Sequence, residues 1–110
     1  MIIKTAELTG VALDWAVITC LFPRAFENKP SINAIVKKLP YSTDWAQGMP
    51  IIDRERIRLI PYTVGTAWFA TVPSKTGGHL LPGPTLLVAA MRCYVASKLG
   101  DMVDVPEELI

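Results

Sequence analysis

The stretch from Thr85 to Gly100 constrains the fold more than any other part of this chain. Thr85 is a good helix N-cap, Lys98 puts a cation in the last turn against the helix dipole, and Gly100 stands where a glycine closes a helix. Between these signals Leu87, Val88, Met91, Tyr94, Val95 and Leu99 supply a broad apolar arc, which has to be covered by other elements.

A chain of 110 residues predicts one domain over 1–110. It buries roughly 60 to 70 per cent of its unfolded surface, enough for a core without metal or disulfide staples. Hydrophobic residues make up 51% and the mean hydropathy is +0.34. Either the core is large or part of the surface is apolar and covered by a partner. The net charge of +1, from 11 basic and 10 acidic side chains, lacks the basic excess usual for a nucleic-acid binder.

The first helix is predicted behind Thr9, with Leu8 and Leu13 placed as a hydrophobic staple. Leu13, Ala16, Val17, Cys20 and Leu21 recur at the spacing of one buried face, and Pro23 ends the helix. Its apolar run is interrupted by Glu7 and Asp14 and falls short of the roughly 20 residues needed to cross a bilayer. It also lacks the pattern of a signal peptide, so a cytoplasmic location is expected. Cys20 and Cys93 both fall inside predicted helices and read as buried, reduced thiols. With one histidine and no second ligand pair, neither a metal nor a cofactor is expected.

Ile2 and Ile3 fit a short strand. Residues 31–39 fit a short helix capped by Ser31, although Ala34 to Leu39 fits a strand as well; the helix is preferred, and Pro40 closes either. Ser42 or Thr43 can cap one helical turn through Trp45 and Gln47, with Gly48 in the left-handed conformation that ends it. Met49-Pro50 then breaks the chain into an extended run. Residues 54–60 alternate as a strand and 67–72 supply a second, so a hairpin is predicted. Pro73 to Pro84 reads as loop, and Asp101, Asp104, Glu107 and Glu108 as an acidic tail. The fold class is α+β, a small antiparallel sheet packed against an N-terminal and a C-terminal helix.

Several long words of the sequence carry a resemblance. They are Tyr41-Ser42-Thr43-Asp44-Trp45-Ala46-Gln47-Gly48, Pro50-Ile51-Ile52-Asp53-Arg54-Glu55, Leu8-Thr9-Gly10, the run from Ala12 to Val17, Gly83-Pro84-Thr85, the run from Ala89 to Asp101, and Val103 to Leu109. In these the chain resembles a family of small phage and prophage proteins, the NinX-like family, classed as a domain of unknown function. The resemblance spans about half the chain. Met49 stands where the pattern implies a second glycine, and residues 20–40 and 61–82 contribute no shared word. It implies a phage accessory protein in the bacterial cytoplasm, and no activity.

The Asp44-Trp45-Gln47 turn is the strongest candidate site, because a carboxylate and an amide beside an aromatic face can hold a polar planar ligand or a peptide backbone. The structural alternative, which is preferred, has Asp44 capping backbone amides, Trp45 anchored in the core and Gln47 bonded to the turn. Arg92, inside an apolar helix, needs a partner and is paired in this reading with Asp44 or Glu55. Asp14 falls off the buried stripe and reads as a solvated carboxylate, though it can face the Asp44 loop; Trp15 reads as a packing residue at the helix edge. Arg54, Arg56 and Arg58 project from one side of the predicted strand, with Trp68 or Phe69 opposite, a pattern suited to single-stranded nucleic acid, although the near-neutral net charge favours a solvated strand face.

No nucleophile motif, phosphate-binding glycine loop or metal-spaced carboxylate pair is present. The favoured function is therefore non-catalytic binding to a host or phage protein, with self-association as a further option. The alternatives are a small hydrolase or nucleotide-handling enzyme built on Asp44, Glu55 and His79, and a single-strand binder using Arg54, Arg56 and Arg58.

Overall fold

A computed structural model describes residues 1–27, 31–61, 67–72 and 80–110. Among them the elements run β1 (Ile2–Lys4), α1 (Gly10–Leu21), α2 (Ile32–Lys38), α3 (Trp45–Glu55), β2 (Arg58–Pro61), β3 (Trp68–Thr71), β4 (Leu80–Gly83), α4 (Leu86–Leu99) and β5 (Met102–Asp104). The architecture is α+β, with two small antiparallel sheets, β2-β3-β4 and β1-β5.

Helix α4 is the centre. The sheet β2-β3-β4 lies against it, as do α1 and α3, and every residue from Leu87 to Ala96 is buried. That explains its apolar arc: a helix covered on several sides has no polar stripe to show. Thr85 Oγ1 accepts from Val88 N at 3.1 Å and Gly100 (φ +86°) closes the last turn, as its sequence requires.

Helix α1 starts at the expected N-cap, Thr9, although the threonine side chain makes no cap bond. Leu8 and Leu13 are both buried in the core, consistent with a staple. Ser31 caps α2, accepting from Ala34 N at 3.4 Å, so residues 31–39 resolve as helix. The first strand is present as β1 and pairs with β5, Ile3 opposite Val103. Part of the predicted acidic tail is thus a strand.

The largest departure lies at residues 45–57. No turn ends at Gly48 and no strand begins at 54: α3 runs through Gly48 and Pro50 to Glu55. Gly48, Ile51 and Ile52 form its buried face, and their packing outweighs the hydrogen bond that Pro50 cannot donate. The left-handed residue is Arg56 (φ 56°, ψ 40°). Behind it Arg56 N donates to Asp53 O and Ile57 N to Ile52 O, a Schellman closure with Ile57 and Ile52 both buried. Gly48 is needed for space, since a Cβ there would lie 2.6 Å from Leu87 Cδ2 and 2.9 Å from Tyr41 O.

The predicted hairpin is present as β2 and β3, with Leu59 opposite Ala70. Within the stretch read as loop, Leu80–Gly83 forms a third strand on β3, Leu81 opposite Ala70; residues 73–79 lie outside the described ones. Leu59, Ala70 and Leu81 thus form one cross-strand row, and Ala70 and Leu81 are buried.

Neither cysteine is in a disulfide. Cys93 is fully buried, whereas Cys20 is only half-buried at the end of α1. Burial pushes the Cys20 thiol up to about 11 and Cys93 to about 12. A thiol reagent at pH 8 should therefore label Cys20 slowly and Cys93 only as fast as the protein unfolds. Equal rates for the two in native protein would contradict this packing.

Candidate functional site

The segment from Pro40 to Asp44 connects α2 to α3 and is tied down by its own backbone: Thr43 N and Asp44 N both donate to Pro40 O. Asp44 caps α3, its Oδ1 accepting from Ala46 N at 3.0 Å. The capping role expected for Asp44 is the one it has.

Trp45 is the correction. As the first residue of α3 its ring is not in the core but 50% exposed. It stands at the mouth of a cleft of about 310 Å³ whose other lining residues are Ser42 and Thr43 on one side and Thr85, Leu86, Leu87 and Val88 on the other. The cleft lies where the starts of α3 and α4 meet. Met49, four residues further along α3 and therefore on the same face, is also exposed and extends the apolar surface.

Asp14 departs from expectation in the opposite direction. It is not solvated but 6% exposed, and its Oδ1 accepts from Ser42 N at 2.8 Å. The carboxylate thus anchors the 40–44 segment to α1 beneath the cleft. Burial raises its pKa, and the backbone and hydroxyl of Ser42 offset this only in part. Ser42 is 2% exposed, and its Oγ lies against this carboxylate, outside strict hydrogen-bond geometry with any described group.

The raised pKa has a definite sign. The folded protein binds the Asp14 proton more tightly than the unfolded chain, so this group's stabilisation is full below its ordinary value of 3.8 and is lost as pH rises through the folded value. Asp14→Asn keeps an acceptor for Ser42 N and removes the charge, so it should abolish that slope. At pH 7 it should leave stability unchanged or raise it by about 1 kcal/mol, whereas Asp14→Ala should lose about 1 to 3 kcal/mol. Urea midpoints of the three proteins between pH 4 and pH 7 measure this.

Other candidates do not join the cleft. Trp15 packs against Phe26, ring centroids 6.4 Å apart. Gln47 is half-buried on α3 and does not line the cleft. Arg54 and Glu55 lie at the far end of α3, about 15 Å from Asp44 at the rise of a helix. There Glu55 meets Arg54 Nε at 3.2 Å and Lys98 Nζ at 3.4 Å.

Arg92 is 7% exposed and pairs with neither Asp44 nor Glu55. Its Nε donates to Leu8 O at 2.8 Å and its Nη1 to Pro82 O at 2.9 Å. Burial lowers its pKa, with the Glu7 charge pulling the other way. The three arginines do not share a face: Arg54 is in a helix, Arg56 is its left-handed closing residue, and Arg58 is in β2 opposite Thr71 rather than an aromatic. His79 lies outside the described residues, which also include no group of three His, Cys, Asp or Glu placed to hold a metal ion.

Sequence reasoning missed Thr85, Leu86, Leu87 and Val88 as site residues. The available signal was that two of the shared words, Tyr41 to Gly48 and Gly83 to Thr85, each open a helix; the structure sets those helix starts side by side.

The fold and cleft define a small α+β protein with an exposed tryptophan beside an apolar cleft, and among its described residues no helix is long and apolar enough to cross a membrane. The chain belongs to the family described as "Bacteriophage P22, NinX", whose model matches residues 4–98 and so takes in the stretches that contributed no shared word. Membership supports a phage accessory protein. No curated protein matches the chain.

Proposed function

We propose that this protein is a non-catalytic binding protein, folded as one domain, that engages a host or phage protein in the cytoplasm of the infected bacterium through the cleft at Trp45. The observation that carries this reading is the exposure of Trp45 at the mouth of an apolar cleft. A large aromatic half in solvent costs free energy unless a partner covers it, and tryptophans are the residues that most often dominate interfaces. The ring is held for the purpose: Asp44 caps its helix and Asp14 ties down the segment before it.

The rival readings have less geometry behind them. Asp44 and Glu55 are at opposite ends of α3 and both are engaged, and Arg54, Arg56 and Arg58 are dispersed.

Trp45→Ala tests the proposal. Because the ring is half exposed, its loss should cost less than about 1 kcal/mol, well below the penalty for emptying a buried aromatic site. Tagged wild-type protein from infected cells should retain a protein that Trp45→Ala loses, or should self-associate where the variant does not. A variant that unfolds more easily by about 3 kcal/mol or more would return Trp45 to the core. Unchanged capture and assembly would remove the cleft from the interaction.

A further inference from the structure

We propose that helix α3 pairs, antiparallel and across a two-fold axis at Met49, with α3 of a second copy of this chain; this rests on the binding reading above and names the phage protein that covers Trp45 as the chain itself. Trp45, Ala46, Met49, Pro50, Asp53 and Arg54 are all exposed, and they recur at the spacing of one helix face. The opposite face, Gly48, Ile51 and Ile52, is buried. Trp45 is 50% and Met49 48% exposed, so the first half of the outward face presents apolar surface where solvent favours polar groups. Arg54, at the margin of this face, is already bonded to Glu55.

The order of chemistry along this face identifies what covers it. Met49 stands at the middle of the stripe, with Trp45 four residues before it and Asp53 four residues after, each about 6 Å away along the helix axis. A closed two-fold contact requires a surface that complements itself, each residue meeting on the other copy the residue that meets it in return. With the axis at Met49 this stripe meets that requirement. Met49 packs on its own copy, and Ala46 and Pro50 beside it have short side chains that let the helices approach. Trp45 lies over Asp53 of the second copy, where its indole Nε1 donates to a carboxylate that has no hydrogen bond or ion pair among the described residues.

Charge fixes the direction of the pair. Arg56, which closes α3, is exposed and has no ion pair among the described residues. In the antiparallel arrangement it comes to the start of the other helix, where Asp44 offers a carboxylate. A parallel arrangement would set Asp53 on Asp53 and Arg56 on Arg56, like charge against like. An unrelated partner needs only the apolar centre; the matched polar ends are what a second copy supplies. Because α3 has 11 residues and is about 16 Å long, the contact is at the small end of specific interfaces, and the dimer forms at about 10 to 100 µM.

The test is sedimentation velocity of the full chain between about 1 and about 300 µM, over which the mass should rise from 12.1 kDa towards twice that value. Met49→Asp sets two like charges against each other at the axis and should weaken the dimer by about tenfold or more. Since Met49 is exposed, the urea midpoint of that variant should stay at the wild-type value. Met102→Asp, at a methionine 50% exposed outside this helix, should leave the dimer intact. Trp45→Phe keeps a ring, loses the N–H and should weaken the dimer by about threefold or more. A dimer that withstands Met49→Asp, or that Met102→Asp dissociates equally, overturns the assignment to α3, and unchanged affinity in Trp45→Phe overturns the antiparallel register. A monomer at every concentration overturns the second copy. The binding reading is then decided separately, by whether Trp45→Ala loses a protein captured from infected cells.

Discussion

Replacing Arg92 by alanine should destabilise the protein by about 3 to 5 kcal/mol, among the largest effects of any single side chain. The guanidinium bonds neither Asp44 nor Glu55; it joins three pieces of chain. From the middle of α4 it reaches the carbonyl of Leu8, just before α1, and the carbonyl of Pro82 in β4. Among the described residues β4 is an outer strand of its sheet, and the bond to Pro82 fastens it to α4. Without the arginine both carbonyls lose a charge-assisted bond in a largely buried setting, and the space vacated by the side chain adds a cavity.

Arg92→Met separates these contributions, since it fills much of the volume and donates nothing. It should still lose about 2 to 3 kcal/mol. Arg92→Lys carries the charge but cannot hold two carbonyls in the fork geometry of a guanidinium, so it should fall between wild type and methionine. Urea unfolding measures all three. Double-mutant cycles with Asp44→Asn and Glu55→Gln should give coupling near zero, because neither carboxylate contacts Arg92. Strong coupling to either acid would restore the ion pair expected from sequence and contradict the observed geometry.

Gly83→Ala should cost about 3 kcal/mol, the upper part of the range for overpacking. Its backbone is not in the left-handed region; the constraint is proximity. A Cβ at Gly83 would lie 2.4 Å from Ala89 N, 2.7 Å from Ala89 Cα and 2.9 Å from its Cβ. Two of these atoms are helix backbone, so the end of β4 would have to lift from α4, at the junction that sets Thr85 and the cleft. Ala89→Gly should therefore fail to rescue Gly83→Ala. The comparison is Gly48→Ala, where the nearest atom is the tip of Leu87, so Leu87→Ala should recover part of the loss. A Gly83→Ala protein as stable as wild type would mean that β4 and α4 are not in backbone contact.

Local signals carried much of the fold. The caps and periodicities of α1, α2 and α4, the β2-β3 hairpin and the α+β class followed from residues close in sequence, and so did the Asp44 cap. For α3 the signal was also present, in the helical spacing of Gly48, Ile51, Ile52 and Glu55. It was obscured because glycine and proline are ordinarily breakers. Here Gly48 is the small residue that lets α3 meet Leu87, and Pro50 lies on the exposed face.

The site was legible as a location but not as an arrangement. The Asp44-Trp45 word marked the place, yet whether Trp45 faces core or solvent depends on which elements occupy the space around it. Asp14 looked solvated because it lies off the main stripe of α1. It is buried because a separate segment, around Ser42, supplies a donor there. Arg92 announced a need for partners, and an isolated sequence offers carboxylates as the obvious ones; backbone carbonyls are present at every residue and carry no sequence signature.

By itself the sequence determined which segments form helices with clear caps, that an oily chain of this length builds a core around the Thr85–Gly100 helix, and that the chain belongs with phage proteins of one family. Tertiary structure alone decided that β4 completes the sheet, that Arg92 serves two carbonyls, and that the starts of α3 and α4 enclose a cleft beside an exposed tryptophan. The physical reason is range: caps and periodicity act within a few residues of chain, whereas burial and hydrogen-bond partnership depend on what lies opposite, and that is set only when distant segments pack.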